Sequence, residues 1–288
     1  MNYPAHRAFV ACAIAAFFLV ACDRADEHKP AAESRTTERI VSLAPHITEL
    51  VFAAGAGDYL VGVDKFSDFP PAVADVPRIG DAFRVDYETL SLLQPDLVLA
   101  WKSGTPVELI QRLRELGYRV VELESSGLYS IADQVQQLGE LAGTSAVAKQ
   151  AADRLRERIV KLGIQPGKNK RLSVFWQISA DPHFTVTGRH VINNIIELCG
   201  GRNIFADVPG LAPAVTLEAI LAARPDVIMA SVSPTDETWK VPWLRWSELP
   251  AVRYERLYGV DRDLISRPGP RIIDGAGQVC AALEAARS

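Results

Sequence analysis

Two stretches of the chain, residues 85–100 and 215–230, share one pattern at a constant spacing. Glu88 in the first corresponds to Glu218 in the second, and each stretch contains a Pro-Asp pair before a run of apolar residues. Each pattern predicts a short amphipathic helix that carries an exposed glutamate near its start and ends before a proline, followed by a buried strand. The repeat therefore predicts two similar α/β lobes, each with one exposed acidic side chain.

The first 22 residues have the pattern of an export signal. Arg7 supplies a positive charge, and the apolar run over residues 8–21 is short for a membrane span. The run ends in Leu-Val-Ala-Cys at Cys22, which resembles the lipobox of bacterial lipoproteins. This resemblance implies cleavage before Cys22 and lipidation of its thiol. The alternative is an ordinary secretory signal that is cleaved near Ala21 and leaves Cys22 unmodified.

The rest of the chain divides into four predicted segments. Residues 23–38 are polar and charged, which is typical of a flexible tether. Strand patterns alternate with helix patterns in residues 39–125 and again in residues 169–288, which predicts a parallel sheet flanked by helices in each lobe. Residues 126–168 are predicted to form linking helices. The helix over residues 144–162 is interpreted as a strut that joins the lobes, and the alternative is a helix packed within one lobe.

Composition and missing motifs exclude several classes of function. A net charge of −4 over 288 residues gives no reason to expect a nucleic acid partner. The sequence has no phosphate-binding Gly-Lys-Ser/Thr loop, no Gly-x-Ser-x-Gly turn, no His-Glu-x-x-His and no Cys-x-x-Cys. His183 and His190 match no strong zinc spacing. We therefore predict that the chain is not an enzyme and carries no cofactor or metal.

Two cysteines remain once the signal is removed and Cys22 carries lipid. Cys199 and Cys280 form an even pair in an exported chain, which favours a disulfide because such compartments are oxidising. The alternative is two buried free thiols.

Four motifs together resemble a known family. They are found at residues 39–55, 61–71, 94–101 and 197–205, and they are similar to the periplasmic cobalamin-binding proteins of the BtuF type, which serve ABC importers. The resemblance covers about residues 39–285. It implies the class III periplasmic binding fold, α/β with two Rossmann-like lobes joined by a single long rigid helix. The implied function is to capture cobalamin or a related corrinoid between the lobes and deliver it to the importer.

The resemblance also assigns roles outside the ligand site. Glu88 and Glu218 match the two family glutamates that dock into arginine-rich pockets of the transmembrane permease, and Cys199 and Cys280 match the family disulfide. We expect a monomer in the periplasm, tethered to the inner membrane through the lipid on Cys22.

A corrin is a flat, partly apolar disc fringed by amides, so aromatic faces and a few polar groups suit it. The resemblance implies that Phe66 and residues 263–267 contact the ligand. Two aromatic residues of the family's second-lobe loop are aliphatic here, which makes another corrinoid such as cobinamide a plausible ligand too. The predicted ligand-binding set is Pro45, His46, Phe66, Phe83, Trp101, Trp176, Phe184, Asp263, Leu264, Ile265, Ser266 and Arg267.

Two questions stay open at this point. His46 follows a proline at the start of a helix, where it either ligates cobalt or serves as a structural residue. The alternative ligand class is a ferric siderophore or haem bound by the same fold.

Overall fold

The computed structural model describes residues 37–163 and 171–288, and these residues belong to one compact unit. The first lobe is built on a sheet of four parallel strands in the order β2-β1-β3-β4. Its strands and helices are β1 (Ile40–Ser42), α1 (Pro45–Ala53), β2 (Leu60–Val63), α2 (Tyr87–Leu93), β3 (Leu97–Trp101), α3 (Val107–Glu115) and β4 (Val120–Leu123). The central strands β1 and β3 are apolar and almost fully buried, as expected for a parallel sheet with helices on both faces.

Two antiparallel helices, α4 (Leu128–Ala142) and α5 (Ser145–Leu162), follow the first lobe. Gly143, with φ of 74°, makes the turn between them. The helices cross closely at Gly139, where a Cβ atom would lie 2.1 Å from that of Ala148.

The second lobe repeats the architecture of the first and adds a small antiparallel sheet. Its parallel sheet has the order β11-β10-β5-β8, and the small sheet has the order β6-β7-β9. The elements are β5 (Leu172–Gln177), β6 (Ser179–Ala180), β7 (His183–Phe184), α6 (Val191–Leu198), β8 (Gly201–Asn203), β9 (Ala214–Val215), α7 (Leu217–Ala223), β10 (Val227–Val232), α8 (Val241–Leu244), α9 (Pro250–Arg253), β11 (Leu257–Asp261), α10 (Arg262–Ile265) and α11 (Ile272–Arg287).

The two parallel sheets have the same strand order. In each lobe the first strand lies between the second and the third, and the fourth strand pairs with the third. The repeat units agree in detail as well, because α2 and α7 both end at a left-handed residue, Gln94 and Arg224, each with φ of 44°. The prediction of a duplicated α/β architecture is confirmed.

Helix α5 reaches from one lobe to the other. At its start the hydroxyl of Thr144 donates to the carbonyl of Ala54 in the first lobe (2.6 Å), so it does not cap the helix. Near its end Arg158 pairs with Asp274 of α11 in the second lobe (2.6 Å). One apolar cluster includes residues of both sheets, of α4 and of α5. The strut interpretation is therefore correct, and α4 accompanies α5 along its length.

Several predictions lie outside the described residues. They are the signal segment, Cys22, most of the tether, and the joint between α5 and β5 where the boundary at 168–169 was placed. Within the described residues, the helices are all too short or too polar to cross a membrane.

Candidate ligand-binding site

In the first lobe, a buried aspartate orders the loop that presents Phe66. Asp64 accepts hydrogen bonds from the backbone N–H of Phe66 (2.9 Å) and from the hydroxyl of Ser67 (3.3 Å). Burial raises the pKa of Asp64 to about 6, although these two hydrogen bonds oppose the shift. The ring of Phe66 is left 58% exposed, with the ammonium of Lys65 4.7 Å from its centroid.

A second aspartate presents Phe83 in the same way. Asp81 accepts from the backbone N–H groups of Phe83 and Arg84, each at 2.9 Å. It also pairs with Lys65 at 2.6 Å, so the Phe66 and Phe83 loops are tied together. Phe83 is 70% exposed. The two exposed aromatic rings lie on neighbouring loops. Together they form the kind of exposed apolar surface that binds an apolar ligand.

His46 is a buried structural residue in this conformation. Its side chain is 4% exposed, and its ring meets Trp101 edge-on with centroids 5.1 Å apart. Burial, reinforced by the charge of Arg267, lowers the pKa of His46 to about 3. The imidazole is therefore neutral, but it is too buried to reach the metal of a bound ligand. Pro45 and Trp101 keep partial exposure.

The predicted ligand loop of the second lobe is a helical turn. Residues 262–265 form α10, and this geometry buries Ile265 completely against Gly275 of α11. The prediction that Ile265 contacts the ligand is wrong for this reason. Asp263 and Ser266 are exposed, while Leu264 and Arg267 are partly exposed.

The structure separates the two remaining aromatic candidates. Trp176 lies in β5 with no exposed surface, and its indole N–H donates to Ser231 (3.1 Å). The prediction that Trp176 lines the cleft is wrong, because β5 is a central strand whose two faces are both covered. Phe184 in β7 is 37% exposed. The residues after it, Thr185 and Thr187, bond to the segment that contains Leu211.

A group of charged residues, which we call the interlobe ion cluster, joins the lobes beside these candidates. Glu49 of α1 is 3% exposed and receives two hydrogen bonds from Arg271, at 2.6 and 3.0 Å. Burial raises the pKa of Glu49, and the bonds from Arg271 oppose that shift. The guanidinium of Arg271 also lies 4.0 Å from the ring centroid of Phe69.

Arg267 completes the interlobe ion cluster. Its guanidinium bonds to both carboxylate oxygens of Asp68 in the first lobe and to Asp263 in its own lobe (3.3 Å). The hydrogen bond from Arg267 lowers the pKa of Asp68. Sequence reasoning identified Arg267 and Asp263 but missed Glu49, Asp68 and Arg271. No local pattern pairs residues about 200 positions apart, although Glu49 and Asp68 each lie within one of the four motifs.

The two repeat glutamates are free on the surface. Glu88 and Glu218 are exposed and lie in the first turns of α2 and α7. Among the described residues, neither carboxylate has a cation within 4 Å. Each helix start is fixed by a side chain, Asp86 or Thr216, that accepts from backbone N–H groups. Both carboxylates are therefore held on firm helix ends and available to a partner.

Cys199 and Cys280 lie in disulfide geometry, with sulfur atoms 1.95 Å apart. The bond joins the end of α6 to the middle of α11, far along the chain but adjacent in the second lobe.

The sequence profile described as "Periplasmic binding protein" matches residues 40–264. The chain belongs to this family. As a family member it is a binding protein, so the prediction that it is not an enzyme is confirmed, as is the prediction of the class III fold.

Curated relatives with higher similarity belong to one group within this family, the vitamin B12-binding proteins. The Vitamin B12-binding protein of Vibrio cholerae serotype O1 is 36% identical over 251 residues, which cover 87% of this chain and 90% of the relative. That of Photorhabdus laumondii is 32% identical over 245 residues, covering 85% and 87%.

Solved structures agree with the fold. The crystal structure of the periplasmic vitamin B12 binding protein BtuF of Vibrio cholerae has a TM-score of 0.80 and 35% identity, and covers 88% of this chain and 98% of that one. The periplasmic heme-binding protein RhuT from Roseiflexus sp. RS-1 has a TM-score of 0.75 at 24% identity, and covers 88% and 100%. The second likeness concerns the fold alone.

Proposed function

We propose that this chain is an extracytoplasmic substrate-binding protein that captures cobalamin or a related corrinoid between its lobes and delivers it to an ABC importer. The observation that carries the proposal is its 36% identity, over 251 residues, to a vitamin B12-binding protein. The exposed rings of Phe66 and Phe83 support it physically, because they are suited to the apolar face of a flat disc. On the facing lobe, we expect the ligand to contact Phe184 and the polar groups of Asp263, Ser266 and Arg267.

Delivery is proposed to use Glu88 and Glu218. Two exposed carboxylates on separate lobes of one rigid body fix its orientation on a cationic partner better than one could. The shared apolar cluster and the interlobe ion cluster both oppose a change in the distance between them.

Location follows from the N-terminal sequence. We propose export to the periplasm, lipidation at Cys22 and tethering to the inner membrane, with the Cys199–Cys280 disulfide formed there. The tether would keep a monomeric carrier close to its importer.

Haem or a ferric siderophore is the alternative ligand. The likeness to a heme-binding protein concerns the fold alone and does not by itself favour haem as the ligand. Haem binders need an accessible ligand for iron, and His46 is buried against Trp101.

The decisive experiment is a titration of the purified protein with cyanocobalamin, cobinamide, haem and a ferric siderophore, followed by tryptophan fluorescence. Saturable quenching is expected with the two corrinoids only. Phe66→Ala and Phe83→Ala should each weaken corrinoid binding by about 10-fold, because each removes an aromatic face. Leu92→Ala is the matched control, since Leu92 is 79% exposed but lies on α2 outside the predicted set. Saturable binding of haem without binding of either corrinoid would overturn the proposal.

A further inference from the structure

A small cavity lies where the two lobes meet, next to the predicted ligand residues. Its volume is about 50 Å³, enough for a few water molecules or one small polar group. Its walls come from the first lobe (Trp101, Ser103, Glu124 and Ser125) and from the second (His190, Val191, Leu211, Ser266 and Pro268). Trp101 and Ser266 belong to the predicted ligand set, so the cavity shares two residues with the proposed binding site.

Glu124 is the acidic group of this cavity. It is exposed, and its carboxylate accepts one hydrogen bond, from the hydroxyl of Ser103 (3.1 Å). Within residues 37–163 and 171–288, no cation lies within 4 Å of it. A carboxylate can accept about four hydrogen bonds, so Glu124 can still accept from a ligand N–H group.

His190 supplies the complementary group. Its Nδ1 accepts from the backbone N–H of Ile192 (3.1 Å), so a neutral ring carries its proton on Nε2. Burial lowers the pKa of His190 to about 4, which keeps the ring neutral at physiological pH. The residues that line the cavity therefore include one with a neutral N–H donor, His190, and one with an anionic acceptor, Glu124.

Three cations of the loops that carry the predicted ligand residues are already paired. Lys65 is bonded to Asp81, and Arg271 to Glu49. Arg267 is held by Asp68 and Asp263. A ligand carboxylate placed at the cavity would meet the negative charge of Glu124, and like charges at short range repel. The exposed cations Lys102 and Arg189 flank the lining residues Ser103 and His190 and have no ion pair among the described residues.

We propose that Glu124 and His190 form an amide-selective subsite, which takes a side-chain carboxamide of the ligand and rejects a carboxylate. A carboxamide has the matching groups, a carbonyl for the His190 N–H and an NH₂ for Glu124. The inference rests on the proposed function. It adds a reason for specificity, because corrinoids have rims of amides whereas haem carries propionates.

The test compares cyanocobalamin with its monocarboxylic acids, in which one peripheral amide is hydrolysed. Calorimetric titrations at pH 7 use the wild-type protein, Glu124→Gln, and the control Glu122→Gln. Glu122 lies two residues earlier, where it pairs with Arg114 (2.8 Å) outside the cavity. For at least one acid isomer, we expect the wild-type protein to bind the acid about 10-fold more weakly than the amide. Glu124→Gln should remove most of that ratio, and Glu122→Gln should leave it unchanged.

The outcomes separate the two proposals. If the wild-type protein binds cyanocobalamin but the ratio is the same in Glu124→Gln, the subsite is refuted and the proposed function stands. If the wild-type protein binds no corrinoid, both fail. Thermal unfolding of each variant checks that folding is intact.

Discussion

The two lobes share their strand order and their repeat unit, but the residues around the two equivalent glutamates differ. In the first lobe, Glu88 stands beside Tyr87, which is 40% exposed. In the second, the residues just before Glu218 line a cavity of about 530 Å³ together with Trp243 and Trp246. Duplication has therefore kept the position of the acidic group while its environment has diverged. Measurements on matched positions can show which of these differences matter.

The largest expected effect concerns docking. Glu88→Ala combined with Glu218→Ala should abolish uptake of corrinoid through the host's importer in liposomes, because both of the proposed contacts to cationic pockets are lost. Binding of the corrinoid itself should be unchanged by calorimetry. Glu157→Ala, which removes an exposed glutamate of α5, is the control. Equal losses in the two single variants would support equivalent lobes, and loss of ligand affinity in the double variant would refute the docking assignment.

The next effect compares two histidines at the starts of equivalent helices, His46 of α1 and His190 of α6. Their pKa values are lowered to about 3 and about 4, so the unfolded chain binds protons below pH 6.5 that the folded chain does not. The free energy of unfolding should therefore fall as the pH drops from 7 to 5, by about 2 kcal/mol for the fully buried His46. Asp64, whose pKa is raised to about 6, acts in the opposite direction between about pH 6 and 4.

Urea unfolding at pH 7 and pH 5 separates these contributions. His46→Gln and His190→Asn should each reduce the acid-induced loss by a similar amount, because both folded-state pKa values lie below pH 5. An unchanged pH dependence in His46→Gln would contradict the assignment.

A smaller effect is expected at the two Pro-Asp pairs. Asp226 accepts from the backbone N–H and the hydroxyl of Ser173 (2.8 and 2.7 Å), whereas Asp96 accepts from the backbone of Glu38 and Arg39 (3.2 and 3.0 Å). Asp226→Ala should lower the free energy of unfolding by about 1.5 kcal/mol. Asp96→Ala should cost less, because its bonds are longer and more exposed.

Chemical denaturation of both variants tests this order, with Asp75→Ala, an exposed aspartate, as the reference. A greater loss in Asp96→Ala would show that the lobes differ in a way the hydrogen bonds do not explain.

The smallest effect concerns the helix caps. Asp86 accepts from Glu88, from the backbone of Thr89 and from its hydroxyl, while Thr216 accepts from Ala219 alone (3.2 Å). Asp86→Ala should therefore lower the denaturation midpoint more than Thr216→Ala does. Equal shifts would indicate that the cap is worth the same in both lobes.

The sequence predicted the duplicated lobes and the helix between them, because apolar periodicity and Pro-Asp turns are local signals. The two-residue strands β6, β7 and β9 are too short to leave such a signal. Aromatic type alone could not separate Phe83, which is exposed, from Trp176, which is buried on a central strand. The Glu49–Arg271 pair joins residues 222 positions apart, and only the folded chain brings them together.

That pair joins the two lobes beside the proposed ligand site. Separating Glu49 from Arg271 would leave a carboxylate that is 3% exposed with only the more distant Arg267, at 3.8 Å, as a counter-ion, at a cost on the order of several kcal/mol. Phe66 and Phe83 lie apart from this pair, exposed on two loops of the first lobe that the Lys65–Asp81 pair ties together. We therefore expect the lobes to stay joined at Glu49 and Arg271 while a corrinoid binds at these two rings.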